Sequence, residues 1–151
     1  MTKIQMKVSI ITVTYKSAST LSRTLRSIEQ QTYPDIEHII IDGESPDATI
    51  PIIHDYAARH NNVRFVSEKD NGIYDAINKG IKMATGDVVG ILNADDALDG
   101  EDVLARVAGE FQASGSRGQV SRSKDRGSGI GDRGLGGDGL DCLYGNVRFV
   151  R

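Results

Sequence analysis

Three clusters of polar residues in this chain have the types and spacing for chemistry. The sharpest is Asn93-Ala94-Asp95-Asp96, which follows directly on the apolar run Val88-Val89-Gly90-Ile91-Leu92. Such a run reads as a buried strand. Burying ionised carboxylates is costly, so the pair belongs at the strand's exit, facing water or a cation. Two hard oxygen ligands there suit Mg2+ or Mn2+ carrying a substrate diphosphate, because those ions keep positions open for phosphate oxygens. Taken alone, Asp95 and Asp96 could also be a solvated turn that caps the next helix.

The second cluster joins Thr14 and Tyr15, after one apolar run, to Asp42, after another. A carboxylate at Asp42 can accept hydrogen bonds from a base imide or a ribose hydroxyl, while the exit of the first run supplies backbone groups. Its plainer reading is a turn made with Gly43, residues 45–47 then capping a helix. The third cluster is Glu68-Lys69-Asp70-Asn71-Gly72-Ile73-Tyr74-Asp75-Ala76-Ile77-Asn78-Lys79-Gly80. Gly72 opens a helix there, and the first amides of a helix favour an anion. Asp75 and Asn78 lie three apart on one helix face, off the apolar stripe. Asp75 with Lys79 can be a surface i,i+4 pair of little worth. Asn78 has no such role, and Asn is a poor residue inside a helix.

The elements that must hold these clusters alternate through the first 111 residues. Val8-Ser9-Ile10-Ile11-Thr12-Val13-Thr14 reads as a buried strand, then Leu21, Leu25 and Ile28 recur at helical spacing, with Ser17 or Ser19 as N-caps and Pro34 beyond the end. Ile39-Ile40-Ile41 is a second strand, stopped by Asp42-Gly43. Ile50, Ile53 and Ala57 mark a second helix with Asp47 as a cap, and Val63-Arg64-Phe65-Val66 a third strand. Ile73, Ile77, Ile81 and Ala84 share one face of a third helix, which Gly86 follows. Val88 to Leu92 is the fourth strand, and Val103, Leu104, Val107 and Phe111 face inward from a fourth helix. Strand-helix alternation of this kind predicts an α/β fold, a mostly parallel sheet with helices on both faces. Ligands of such sheets bind outside the carboxyl ends of the strands, where Asp42 and Asp95 fall.

Composition narrows the field. At 151 residues the chain is one domain's worth, enough to bury about two-thirds of its unfolded surface. A net charge of -3 gives no footprint for nucleic acid. The single cysteine, Cys142, excludes an internal disulfide and reads as a buried thiol in a reducing compartment. No leader is expected before the first strand, and no apolar run approaches the ~18 residues of a membrane span. The expected compartment is the cytoplasm, with room for work at the inner face of a membrane.

The alternation stops after Phe111. Residues 112–139 are rich in glycine and serine with scattered charges, and are expected to be a flexible insertion. Residues 140–151 regain an apolar pattern and read as a terminal strand of the core. Within the insertion, Gly129-Ile130-Gly131-Asp132-Arg133-Gly134 matches the dinucleotide fingerprint in letters only, since no strand precedes it and no helix follows. His38, His54, His60 and Cys142 have no metal-ligand spacing. Phosphate-binding P-loops and nucleophile elbows are absent from the sequence.

Four words, in their order and spacing, carry a resemblance. They are Val8-Ser9-Ile10-Ile11-Thr12-Val13-Thr14-Tyr15, Ile41-Asp42-Gly43-Glu44-Ser45-Pro46-Asp47, the stretch from Asp70 to Gly80, and Leu92-Asn93-Ala94-Asp95-Asp96. Over residues 7–111 the chain resembles the family 2 glycosyltransferases of the GT-A fold, a Rossmann-like nucleotide-diphospho-sugar transferase fold. It is nearest to bacterial enzymes that build capsule, exopolysaccharide or lipopolysaccharide. The resemblance implies that Asp42 contacts the nucleotide base, with Thr14 and Tyr15 lining its pocket. It implies that Asp95 and Asp96 hold Mn2+ or Mg2+ on the donor diphosphate, and that Asp75 and Asn78 lie near the diphosphate-sugar. Asn93 stands where the family's Asp-x-Asp usually has its first acid, which keeps an oxygen ligand and removes a charge.

By the same resemblance the donor is a nucleoside-diphosphate sugar, UDP-sugar favoured, and the acceptor a glycan or lipid-linked glycan, with the transfer inverting. The base that takes the acceptor's proton is expected beyond Arg151, so this chain reads as the donor-binding part, incomplete at its C-terminal side. A non-catalytic nucleotide-sugar-binding module, or a degenerate fragment, is the alternative. A receiver-type signalling domain would need an acidic pair after the first strand, where Thr14-Tyr15-Lys16 stands instead.

Overall fold

The structure, a computed structural model, describes residues 5–115. Four strands and four helices alternate there: β1 (Val8–Thr14), α1 (Leu21–Glu29), β2 (Ile36–Asp42), α2 (Thr49–Arg59), β3 (Val63–Ser67), α3 (Ile73–Met83), β4 (Val88–Ile91) and α4 (Val103–Gly115). The strands form one parallel sheet in the order β3-β2-β1-β4. Parallel neighbours need a crossover between them, and each helix supplies one.

Side-chain parity along the strands sorts the helices into layers. Val8 and Ile10 of β1, Ile36 of β2 and Val88 of β4 pack with Ile28 of α1 and Leu104 and Ala108 of α4. On the same face, Ile40 meets Leu21 and Leu25 of α1 and Ile53 and Tyr56 of α2. The odd partners Ile11, Ile39 and Ile41 turn the other way, onto Ala76 of α3. Helices therefore cover both faces, three on one and α3 on the other.

β2 is longer than the Ile39-Ile40-Ile41 run because two of its buried residues are polar, and their partners hide them from a hydrophobicity reading. His38 is fully buried between Thr12 Oγ1, 2.9 Å from Nε2, and the Tyr56 hydroxyl, 3.3 Å from Nδ1. Burial holds its pKa down at about 3, so the ring is neutral. Glu37 Oε2 accepts Ser9 Oγ (2.6 Å) and the Thr85 amide (2.9 Å), while Oε1 accepts Thr85 Oγ1 (3.0 Å) and Arg64 Nη2 (2.6 Å). That carboxylate ties three strands and the α3–β4 connection together at the sheet edge opposite the strand exits.

Four expectations are revised. Neither Ser17 nor Ser19 caps α1; Thr20 holds the cap position, and the Ser17 carbonyl accepts the Thr20 and Leu21 amides instead. Asp47 stands one residue before the Ala48 cap of α2, yet its Oδ1 still takes the Thr49 amide at 3.1 Å. In α3 the contact with the sheet is made by small residues. A methyl group built on Gly80 would lie 2.5 Å from Ile11 Cγ2, and Ile73 and Ile81 of the predicted stripe remain 52% and 38% exposed. Finally, α4 runs to Gly115, past the boundary set at Phe111. Cys142, the rest of the insertion and the terminal strand of residues 140–151 lie outside the described residues.

Candidate functional site

One carboxylate joins the exits of β1, β2 and β3. Asp42 ends β2, in register with Thr14 of β1 and Ser67 of β3, and none of it is exposed. Its Oδ1 accepts Thr14 Oγ1 (2.8 Å) and Ser45 Oγ (2.6 Å); Oδ2 accepts the Ser45 amide (2.9 Å) and Ser67 Oγ (2.8 Å). Burial by itself raises the pKa, but the donors of Ser45, Ser67 and Thr14 outweigh it and hold the carboxyl below its ordinary range. Two oxygens offer about four lone-pair sites, and all are taken. Through those bonds Asp42 fixes the loops around it.

Those loops lock onto each other. Lys16 N donates to Ser45 Oγ (3.0 Å), Ser17 N to Thr49 Oγ1 (2.8 Å) and Ala18 N to Asp47 Oδ2 (3.4 Å). Two non-glycine residues, Lys16 (φ 51) and Glu44 (φ 62), take left-handed backbone here. Such a conformation is costly and persists only where its surroundings over-determine it. Thr14 is buried beneath, while Tyr15 stands 59% exposed with the Lys16 ammonium 5.3 Å from its ring centroid.

Asp70, part of the third cluster but given no role of its own from the sequence, belongs to this edge. After β3 the chain turns so that its carboxylate lies over Gly43. A methyl group built on Gly43 would sit 2.9 Å from Asp70 Oδ2 and 3.5 Å from Tyr15 Cδ2. The sequence signal was the glycine itself, an absent side chain whose space had to be filled.

The loop after β4 is held from below by α1. Thr24 Oγ1 reaches the carbonyls of Ala94 (3.0 Å) and Asp96 (2.6 Å), and Ser27 Oγ accepts the Leu98 amide (3.1 Å). Gln31 donates to the Gly100 carbonyl (2.6 Å) and accepts the Leu104 amide (3.0 Å). Thr24, Ser27 and Gln31 share one stripe at i, i+3, i+7, beside the apolar one. In the loop they support, Asp95 is exposed, Asn93 and Asp96 are half-buried, and Asn93 Nδ2 lies 3.5 Å from Asp96 Oδ2. Among the described residues no group of three or more His, Cys, Asp or Glu forms a metal cage. Two carboxylates and an amide oxygen fit an ion that keeps positions for phosphate and water, as Mg2+ and Mn2+ do.

α3 begins at the same edge because β3 runs parallel to its neighbours. Gly72 (φ 105) stands at its N-terminus. Asp75 Oδ2 accepts the Asn71 amide (3.0 Å), and that bond and Lys79, 3.4 Å away, lower its pKa. Lys79 also meets Glu68 at 3.0 Å, so the surface pair foreseen as the plain alternative is present. Asn78 is exposed beside it. The structure thus gathers Thr14, Tyr15 and Asp42 in one group and Asn93, Asp95 and Asp96 in another, with Asp75 and Asn78 on a helix between strand exits. A cavity of about 470 Å3 between α1 and α2 is lined by none of these residues.

Comparison with known proteins gives this arrangement its place. The model of glycosyl transferase family 2 matches residues 9–136. The PGL/p-HBAD biosynthesis glycosyltransferase of Mycobacterium bovis is 40% identical over 110 residues, covering 70% of this chain and 43% of that protein. A mannosyltransferase of Pyrobaculum calidifontis, solved in complex with GDP-Man and Mn2+, superimposes with a TM-score of 0.63 at 30% identity, over 67% of this chain and 31% of that one. S. aureus TarS 1-349 in complex with UDP-GlcNAc gives 0.68 at 25% identity, over 73% and 32%. The chain spans less than half the length of the curated relatives it matches, 47% and 43% for two of them. No helix among the described residues is long and apolar enough to cross a membrane. The parallel sheet, its strand exits and these matches agree: the chain is a GT-A-fold member of glycosyl transferase family 2.

Proposed function

We propose that this chain is the donor-binding part of an inverting glycosyltransferase that moves a sugar from a nucleoside-diphosphate donor, UDP-sugar favoured, to a glycan or lipid-linked acceptor. The observation that carries the reading is the convergence of the Tyr15/Asp42 group, the Asn93/Asp95/Asp96 group and the α3 N-terminus on one sheet edge. Neighbours of the same fold solved with GDP-Man and UDP-GlcNAc support it.

Transfer requires that the leaving diphosphate be neutralised as the anomeric bond breaks, and that the acceptor hydroxyl give up its proton. Asp95 and Asp96, with the Asn93 amide oxygen, would hold Mn2+ or Mg2+; the ion supplies positive charge to the leaving diphosphate. Thr14 and Asp42 keep the β1 and β2 exits in register, so that Tyr15 is presented at the donor's base. Asp75 and Asn78 face the diphosphate-sugar from the first turns of α3, whose amides favour its negative charge. The acceptor's proton is assigned to none of the described residues. A lipid-linked acceptor would bring the chain to the cytoplasmic face of a membrane.

The test is calorimetric titration of UDP into the purified chain with Mn2+, repeated in EDTA. Binding that needs the metal is expected. A folded sample that binds neither UDP nor GDP would overturn the reading.

A further inference from the structure

We propose that Thr24 of α1 is a positioning residue for the divalent ion: its buried hydroxyl holds the turn of residues 93–96 in the orientation that gives the acids there their affinity for Mn2+ or Mg2+. The inference rests on the donor-site reading above. It goes beyond that reading by assigning part of the ion's affinity to a side chain on another element that does not touch the ion.

The acids lie where the chain leaves the sheet. Leu92 N donates to the Ile11 carbonyl (2.9 Å), tying the end of β4 to β1, and Leu98 N donates to Ser27 Oγ (3.1 Å). Between those two anchors residues 93–96 form a β-turn, Asp96 N donating to the Asn93 carbonyl at 3.0 Å. Such a turn brings its first and last side chains together, and Asn93 Nδ2 lies 3.5 Å from Asp96 Oδ2. Asp95, inside the turn, is exposed. The turn's own bond fixes its shape but not its tilt against the sheet, and Mg2+ above all tolerates little error in where its oxygens stand.

Thr24 sets that tilt. It is wholly buried, and its Oγ1 lies 3.0 Å from the Ala94 carbonyl and 2.6 Å from that of Asp96. One proton shared between the two turns the carbonyls on either side of Asp95 down onto α1, which leaves the Asp95 carboxylate facing out. Ala94 packs in the same place, with Leu21 and Leu25. Threonine is a poor residue for the middle of a helix, and there its hydroxyl commonly returns to a carbonyl of its own helix. Valine would fill the same space without a polar group to bury. What valine cannot supply is the hydroxyl, and that hydroxyl is spent on the loop that bears the acids.

The experiment reads how much Mn2+ is needed to promote UDP binding. UDP is titrated calorimetrically into the full chain, Thr24→Val and Thr24→Ser, over a series of Mn2+ concentrations and in EDTA, with circular dichroism melts alongside. Thr24→Val keeps the shape and loses the O–H; Thr24→Ser keeps the O–H and loses a methyl group. In Thr24→Val the half-saturating Mn2+ concentration should rise about ten- to hundredfold, the scale of losing a group that orients a metal's ligands, while UDP binding in EDTA is unchanged. Thr24→Ser should melt lower than wild type yet keep its Mn2+ dependence. If Thr24→Val does not fold, Thr24→Cys, whose S–H is a weak donor, is read in its place against the same expectation. A folded variant without the hydroxyl that keeps the wild-type Mn2+ dependence overturns the proposal. So does a Thr24→Ser chain that needs as much Mn2+ as Thr24→Val, since packing would then be the cause. A folded wild-type chain that binds UDP or GDP equally well in Mn2+ and in EDTA overturns the metal site and this proposal with it, and one that binds neither overturns the donor site as a whole.

Discussion

Replacing Glu37 by Gln tests how the sheet that carries the site is held together, and the structure gives the size of the effect. Burial raises the Glu37 pKa, but the hydrogen bonds from Ser9, from the Thr85 amide and hydroxyl, and from Arg64 overcome it, bringing the group down from 4.5 to about 2. A depressed carboxyl stabilises the fold at pH above its unfolded value and loses that contribution as pH falls through its folded one. The window is therefore pH 4.5 down to about 2. At about 1.4 kcal/mol per unit of pKa, the contribution at neutral pH is about 3 kcal/mol. The side chain is only 8% exposed, so solvent screening takes little from it.

Geometry argues for the same order. The Ser9 and Thr85 hydroxyls can rotate to accept from a glutamine amide, but the Thr85 N–H on Oε2 and the Arg64 guanidinium on Oε1 can only donate. Whichever way the amide is turned, one of them faces another donor, at a cost of about 1–3 kcal/mol. Urea denaturation followed by circular dichroism from pH 7 to pH 2 should show a gap of about 2–3 kcal/mol at neutral pH that narrows below pH 4.5, leaving at the acid end only the amide's own mismatch. Parallel wild-type and variant profiles across that window would refute the linkage, and with it the reading of Glu37 as a buried anion.

Asp95→Ala should abolish metal-dependent UDP binding while moving the unfolding curve by less than about 0.5 kcal/mol, since the residue is exposed; normal calorimetric binding would remove it from the metal site. Glu44→Gly relieves a left-handed residue at φ 62. The relief of about 1–2 kcal/mol outweighs the ~0.5–1 kcal/mol of added unfolded-state entropy, so the melting temperature should rise by a few degrees, and a fall would mean the strain is absent. Gly80→Ala should lower stability by about 1–3 kcal/mol despite alanine's better helix propensity, because the added methyl meets Ile11 at 2.5 Å in a fully buried place; an unchanged melting curve would show that α3 shifts freely on the sheet.

What was legible in the sequence was whatever depends on neighbours along the chain. The Val8 to Thr14 strand, Gly72 at the head of α3 and the acidic pair after β4 all announce themselves through local pattern. What pairs across the fold did not. Thr24 bonds the Ala94 and Asp96 carbonyls across 70 and 72 residues of sequence, and Ser67 reaches Asp42 across 25. No period or cap rule links such positions before the sheet order is known. The N-cap of α1 was missed for a related reason, since the Ser17 amide and hydroxyl serve Thr49 and Tyr15 instead of the helix. The α3 stripe misled because apolar periodicity marks a face, while Ala76 and Gly80 decide how closely that helix approaches the sheet.

Acid residues at a strand edge divide by what their oxygens already accept, and that division orders the site. Asp42 takes four protein donors and is wholly buried; among the described residues Asp70 takes one, the Gly72 amide; Asp95 is exposed. A saturated acid is part of the scaffold, because any ligand would have to displace bonds worth as much as those it brings. An unsaturated one is poised for a donor or a cation from outside. The distinction predicts different failures. Removing Asp42 leaves the Ser45 amide and three hydroxyls without their acceptor, so Asp42→Ala should lower the melting temperature and weaken every nucleotide alike. Removing Asp95 should leave the melt unchanged and abolish metal dependence. An Asp42→Ala chain that melts like wild type and loses only uridine binding would refute the scaffold role and leave Asp42 with the base contact alone.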